Sequence, residues 1–196
     1  MIAIDYRTIA VEELSLNESE TARRLHTAKG FEMVQIEECL TELKKAVNCK
    51  FSAVRTPIEH FDGDSLDCGF GEFKSAALVK NLQNCREVFV FAVTLGLGVD
   101  RLLNRLSCIS PAKHFISDAL ASSMAEAAAD RAEELIKGEI QCRPRFSPGY
   151  GDLPLELQPK ILNLLNAQRL LGITTNKSLL MSPGKSVTAI MGIKNE

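Results

Sequence analysis

The sequence predicts an α+β protein, a twisted antiparallel sheet with flanking helices, and three stretches carry that prediction. From Ala112 to Lys137 there is no proline or glycine, which is enough for one long helix near 111–138. EVFVFAVT, residues 87–94, is an apolar run rich in Val and Phe, the pattern of a buried strand. SLLM, SPGK and SVTAIMGI follow one another over residues 178–193. They set Pro183 and Gly184 between apolar and β-branched residues, as a C-terminal β-hairpin around a type II turn requires. Long helices with hairpins point away from a doubly wound sheet.

Taken in order, the first 60 residues are the least patterned. FEMVQIEECLTELKKAV, 31–47, spaces Ile36, Leu40, Leu43 and Val47 as one face of an amphipathic helix with lysines near its end. FSAVRTPI reads as a short strand interrupted by Pro57, FDGDS at 61–65 as a turn, and SAALVKNLQ at 75–83 as a short helix. TLGLG, 94–98, lacks the G-x-G-x-x-G spacing of a dinucleotide loop and reads as a strand-to-helix turn. Ser110-Pro111 is a helix start: an N-cap, then proline at the first helical position. The helix it opens would span about 40 Å at ~1.5 Å per residue. Ile116, Leu120, Met124, Ala127 and Leu135 form its apolar stripe, and Ala119, Ser122 and Ser123 a small-residue stripe flanked by Glu126 and Asp130. ILNLLNAQRLLG reads as one further helix stopping at Gly172. One domain over 1–196 is expected, with a weakly patterned N-terminal α/β portion at 1–87.

With 196 residues, 45% hydrophobic and 24% charged, the chain can bury a sizeable core. A net charge of -2 without basic clustering excludes a phosphate-driven nucleic-acid binder. The most apolar run, 88–99, is too short to cross a membrane, and Asp5 and Arg7 fall where a signal peptide would be apolar. A cytoplasmic location, with no membrane partner, is therefore expected. The six cysteines stand at least ten positions apart without C-x-x-C pairs, so buried reduced thiols are expected rather than a metal site. His26, His60 and His114 have no partner at a catalytic motif spacing, so no catalytic residue is assigned.

RFSPGYGDLPLELQPKI, 145–161, concentrates the chemistry. Arg145, Gly149 and Tyr150 form R-x-x-x-G-Y: a planar fork for a carboxylate, a backbone without Cβ that a ligand can approach, and a flat ring with a polar tip. These suit a small zwitterion with an aromatic part; a proline-braced surface loop is the plainer alternative. Glu126 on the long helix is suited to a ligand's ammonium or ribose hydroxyls, or is simply a solvated helix face.

RFSPGYGDLPLELQ, a Leu-rich helix ending in LGI, and SLLMSPGKSVTAI together resemble the activation domain of cobalamin-dependent methionine synthase, which binds S-adenosylmethionine. FAVTLGLGVDRLLNR and SDALASSMAEAAADRAEELI are similar to the strand-turn-helix and long helix of that domain, so the resemblance covers 88–193. It implies that Arg145 and Tyr150 hold S-adenosylmethionine, with contacts at Phe146, Ser147, Pro148 and Gly149 and a further one at Glu126. It also implies partners: the cobalamin-binding module of a methionine synthase or related corrinoid protein, and an electron donor. In such domains the sulfonium methyl is presented to cobalamin (vitamin B12) on another domain, and traps cobalt as it is reduced from Cob(II).

The chain has no D-x-H-x-x-G cobalamin signature and no zinc-thiolate site for homocysteine. The resemblance therefore implies a stand-alone reactivation subunit in methionine biosynthesis, a component of a methyltransferase rather than a complete one. The N-terminal third holds no clear counterpart of the aspartate those domains use; Asp5 and Asp62 come nearest, and neither is assigned that role. Family members within full-length enzymes also carry ligand contacts beyond the hairpin, where this sequence reaches Glu196. If such contacts are lost, the expectation changes to a non-catalytic adaptor that docks on a corrinoid protein without binding S-adenosylmethionine.

Overall fold

A computed structural model describes residues 3–26, 33–60 and 63–195. Phe31, Glu32, Phe61 and Asp62 lie outside these residues, and so does the side chain of His26. The elements in chain order are β1 (Asp5–Thr8), α1 (Glu18–His26), α2 (Met33–Ala46), β2 (Lys50–Pro57), β3 (Glu59–His60), β4 (Ser65–Asp67), β5 (Phe73–Lys74) and α3 (Ala76–Asn81). There follow β6 (Cys85–Thr94), α4 (Leu97–Ile109), α5 (Pro111–Lys137), α6 (Gln158–Leu164), α7 (Ala167–Leu171), β7 (Thr174–Thr175), β8 (Met181–Ser182) and β9 (Ser186–Lys194).

The main sheet has the order β1-β2-β6-β9, and each neighbouring pair is antiparallel. Alternation sends Phe51, Ala53, Phe91, Val93 and Ala189 to one face, where they meet Leu43 of α2, Leu103 of α4 and Ile116, Leu120 and Met124 of α5. Val54, Val88, Val90, Ala92 and Ile190 point the other way, onto Leu78 of α3, Ile161 of α6 and Leu171 of α7. Covering on both sides is why β6 reads as an unbroken apolar run. Pro57 ends β2 rather than interrupting it, so the interior ladder loses no donor.

The helix predicted near 111–138 is present as α5, its start capped by Ser110 Oγ accepting from Lys113 N. Small residues let it lie close: Ala121, Ala125, Ala128, Ala129 and Ala132 are all buried. Gly98 lets α4 lie close on α2, since a Cβ there would meet the Ala46 carbonyl oxygen at 2.3 Å.

Two expectations are refined. The helix expected over 161–172 is two, because Asn166 takes a left-handed conformation (φ 49°) between α6 and α7. A C-terminal β-hairpin is present, but it pairs Thr174–Thr175 with Met181–Ser182, and Ser186–Lys194 belongs to the main sheet. Gly184 lacks the positive φ that a type II turn demands of its second central residue; the Ser182-Pro183 peptide is cis. The 182–185 segment instead docks on the helices. Gly184 N donates to Asp100 Oδ2 at 2.8 Å, and Lys185 Nζ sits 2.8 Å from Asp118 Oδ1 and 2.9 Å from Ser122 Oγ.

Candidate functional site

Residues 141–146 run antiparallel along the outer side of β9. Lys194 N donates to the Gln141 carbonyl, Arg143 N to that of Gly192 and Phe146 N to that of Ile190, while Ile190 N donates back to Phe146. Arg145 therefore sits on a sheet edge, not on a free loop. Past Phe146 the chain turns sharply. Tyr150 N donates to the Ser147 carbonyl, Leu153 N to that of Tyr150 and Gly149 N to that of Leu153. Gly149 (φ 84°) and Gly151 (φ 57°) supply the left-handed conformations this turn needs.

Asp152 anchors the end of the turn. Its carboxylate accepts from Ser75 Oγ at 2.5 Å and from the N–H groups of Ala76 (2.8 Å) and Ala77 (3.2 Å), the exposed amides at the start of α3. The Ser75 hydroxyl is the main cause holding this carboxyl below its ordinary range; desolvation opposes it, and the backbone donors add to the lowering.

The Arg145 guanidinium meets three carboxylates of α5. Nη1 donates to Asp130 Oδ1 at 2.5 Å and to Glu133 Oε2 at 3.3 Å, and Nη2 to Glu126 Oε2 at 3.1 Å. Residues 126, 130 and 133 lie on one helix face because four plus three residues make nearly two turns. Burial works against the charge on Arg145, but the hydrogen bond and charge of Asp130, with help from Glu133 and Glu126, raise its pKa above the ordinary value. The guanidinium is thus charged at any working pH.

A cleft of about 480 Å³ opens beside the turn. Ser147, Pro148 and Leu155, Gln158 of α6, Leu179–Met181, Gly184 and the start of β9 at Ser186–Thr188 line it. Its lining carries no charged side chain. Within this lining, buried Gln158 donates from Nε2 to Thr188 Oγ1 at 2.8 Å, and Thr188 Oγ1 lies 3.1 Å from Gln158 Oε1. This pair ties α6 to β9.

Of the residues singled out from the sequence, Arg145 and Glu126 are brought into direct contact, and Ser147 and Pro148 enter the cleft wall. Phe146 packs against Tyr150 edge-on, with ring centroids 5.6 Å apart. Tyr150 is 71% exposed, so most of its side chain meets solvent. Asp5 pairs with Arg7 on β1, across the sheet from β9, and Asp62 lies outside the described residues. Glu133 and the Gln158–Thr188 pair were not picked out in the sequence. Glu133 carried a signal, its i+7 spacing from Glu126; the buried pair carried none.

Among the described residues no group of three or more His, Cys, Asp or Glu side chains stands ready for a metal ion, and no helix is long and apolar enough to cross a membrane. The cysteines are free thiols. Cys39, Cys49, Cys68 and Cys85 are buried as expected, but Cys108 is exposed and Cys142 half-buried. Burial pushes the Cys49 and Cys68 thiols up to about 12. His60 is exposed, while His114 is half-buried with Nδ1 3.0 Å from the Leu103 carbonyl.

No family model matches this sequence, and no curated protein matches it. A solved structure does: a crystal structure of the MetH reactivation domain bound to AdoHcy. It superposes with a TM-score of 0.70 at 18% sequence identity, over 98% of this chain and 78% of that one. The fold is therefore that of a MetH reactivation domain, as the activation-domain resemblance implies.

Proposed function

We propose that the chain is a reactivation subunit. It binds S-adenosylmethionine beside the 145–150 turn and supports reductive remethylation of cobalamin carried by a partner methionine synthase in the cytoplasm. The observation that carries this reading is the pairing of Arg145 with Glu126 in a fold shared, over 98% of this chain, with a domain crystallised with AdoHcy. S-adenosylmethionine supplies an electrophilic methyl group on its sulfonium.

The chain's own residues fit such a ligand in two ways. Arg145, charged and with N–H groups beyond its three acid contacts, suits the α-carboxylate, while partly exposed Glu126 suits the ammonium or a ribose hydroxyl. The turn at Phe146, Ser147, Pro148, Gly149 and Tyr150 contributes close backbone approach and, through Ser147 and Pro148, one wall of an uncharged cleft for the neutral part. The protein's role is then to position the methyl group; the reactive atoms belong to the ligand and to the partner's corrin.

A second reading has its own observation in favour. Arg145 is already neutralised by Glu126, Asp130 and Glu133, as in an adaptor that keeps the fold and docks on a corrinoid protein without binding a ligand. Reconstitution separates the two. The chain is mixed with a Cob(II)-loaded methionine synthase cobalamin module, a reductant and methyl-labelled S-adenosylmethionine. Label in the cobalamin fraction that depends on this chain supports the first reading; transfer that is the same without it overturns that reading.

A further inference from the structure

The β9 edge of the main sheet is covered by residues 141–146, whereas the opposite edge, β1, is bare. Its ladder with β2 sets Asp5 opposite Ala53, Tyr6 opposite Ser52, Arg7 opposite Phe51 and Thr8 opposite Lys50. One residue further on, Ile9 N donates to the Cys49 carbonyl at 3.0 Å, which makes Ile9 and Cys49 a hydrogen-bonded pair. Such pairs alternate along an antiparallel ladder, so Arg7 and Asp5 also bond inward, and the N–H and C=O groups of Tyr6 and Thr8 point away from β2. Among the described residues no backbone group bonds to that outer row. Tyr6 is 42% exposed, and Arg7 Nη2 meets Asp5 Oδ2 at 2.9 Å with both side chains open to solvent.

We propose that β1 is the pairing edge for a second copy of this chain, antiparallel about a twofold axis at Tyr6, which joins the two sheets into one. Parity and charge select this register. Outward residues must stand opposite outward residues to exchange hydrogen bonds, and two such registers set three residues of β1 against three: one centred on Tyr6, one on Arg7. The second opposes Arg7 to Arg7. The first opposes Tyr6 to Tyr6, an aromatic pair on one face, and on the other face opposes Asp5 to Arg7 twice, at the positions where side chains of neighbouring strands come closest. An exposed ion pair is worth little, so exchanging the Asp5–Arg7 contact within the chain for two between chains costs little. Charges protect a strand edge when like meets like; Asp5 and Arg7 in alternation are instead complementary to their own copy. With so few residues a side, the interface falls short of the about 1,200 Å² of a stable complex, so the dimer forms and dissociates with concentration. β1 lies across the sheet from the segment bearing Arg145, and the inference is independent of the functional reading.

Sedimentation velocity over a concentration series tests it. The wild type is expected to shift reversibly from the mass of one chain to that of two as concentration rises. Tyr6→Pro removes an outward N–H while the β1–β2 ladder keeps its bonds, and is expected to stay monomeric where the wild type pairs, with an unchanged urea midpoint. Asp5→Arg and Arg7→Asp each set like charges opposite one another and are expected to weaken the dimer by about 10-fold. An equimolar mixture of those two variants restores opposite charges at both contacts and is expected to recover the wild-type dimer. Neither variant keeps the Asp5–Arg7 pair within the chain, so recovery on mixing reads the contact between chains and not folding. A wild type that is monomeric throughout, a dimer that survives Tyr6→Pro, or charge variants that pair as tightly as the wild type or fail to recover on mixing would each overturn the proposal. Should Tyr6→Pro lower the urea midpoint, the mixing result decides.

Discussion

Arg145 Nη2 donates to Glu126 Oε2 at 3.1 Å, joining the edge segment beside β9 to the middle of α5. The contact bridges the two parts of the sequence that carry opposite charges suited to one small zwitterion. Segment 141–146 is fixed by its ladder to β9 and α5 by its alanine-rich packing, so the pair sits between two rigid elements.

The anchor at Asp152 is sensitive to acid. A carboxyl whose folded pKa is depressed contributes stability that is complete above its unfolded value and is lost as pH falls through the folded one. Hydrogen exchange at the Ala76 and Ala77 amides is expected to accelerate once pH drops below the ordinary carboxylate range, after correction for the intrinsic rate. Asp152→Ala should show the same loosening already at neutral pH. Unchanged protection in the variant would mean that the turn is held by other contacts.

Gly98→Ala is expected to destabilise the fold by about 1–3 kcal/mol in urea unfolding, the usual cost of overpacking. The obstacle is the Ala46 carbonyl, a backbone atom that can yield only if α2 and α4 move apart. A variant as stable as the wild type would show that the crossing has slack.

Gln158→Leu keeps the size of the side chain but leaves the buried Thr188 hydroxyl without its partner. A loss of about 1–3 kcal/mol follows from an unsatisfied buried polar group. The double variant Gln158→Leu/Thr188→Val should recover most of it; no recovery would place the cost in packing instead.

The thiols divide by burial. A neutral-pH thiol reagent is expected to label exposed Cys108 fast and half-buried Cys142 slowly, with Cys49 and Cys68 reacting only on unfolding, since their pKa values near 12 leave almost no thiolate. Mass mapping of a timed reaction checks the order.

Much of this architecture was legible in the sequence because the signals were local. Ser110-Pro111 and the proline-free run fixed α5, and the apolar run of β6 announced a strand covered on both faces. The split between α6 and α7 was hidden, since a left-handed Asn166 leaves the apolar spacing intact. The partner of β9 was hidden for a different reason: strand pairing is a long-range choice, and SLLM next to a Pro-Gly pair satisfies hairpin rules without forming that hairpin. Residue types and spacing left Arg145 and Glu126 open to a plain surface loop and a solvated helix face, and only their combination in the activation-domain resemblance singled them out. That Arg145 is met by three acids, and that Tyr150 turns outward, depends on how α5 lies against the sheet edge, which no local pattern encodes.

Calorimetric titration of S-adenosylmethionine into the wild type and Arg145→Ala tests the central claim most directly. Loss of one charge-assisted carboxylate contact should weaken binding by about 1.5–3 kcal/mol, roughly 10- to 150-fold in Kd. Binding that is undetectable in the wild type, or equally strong in the variant, would contradict the account.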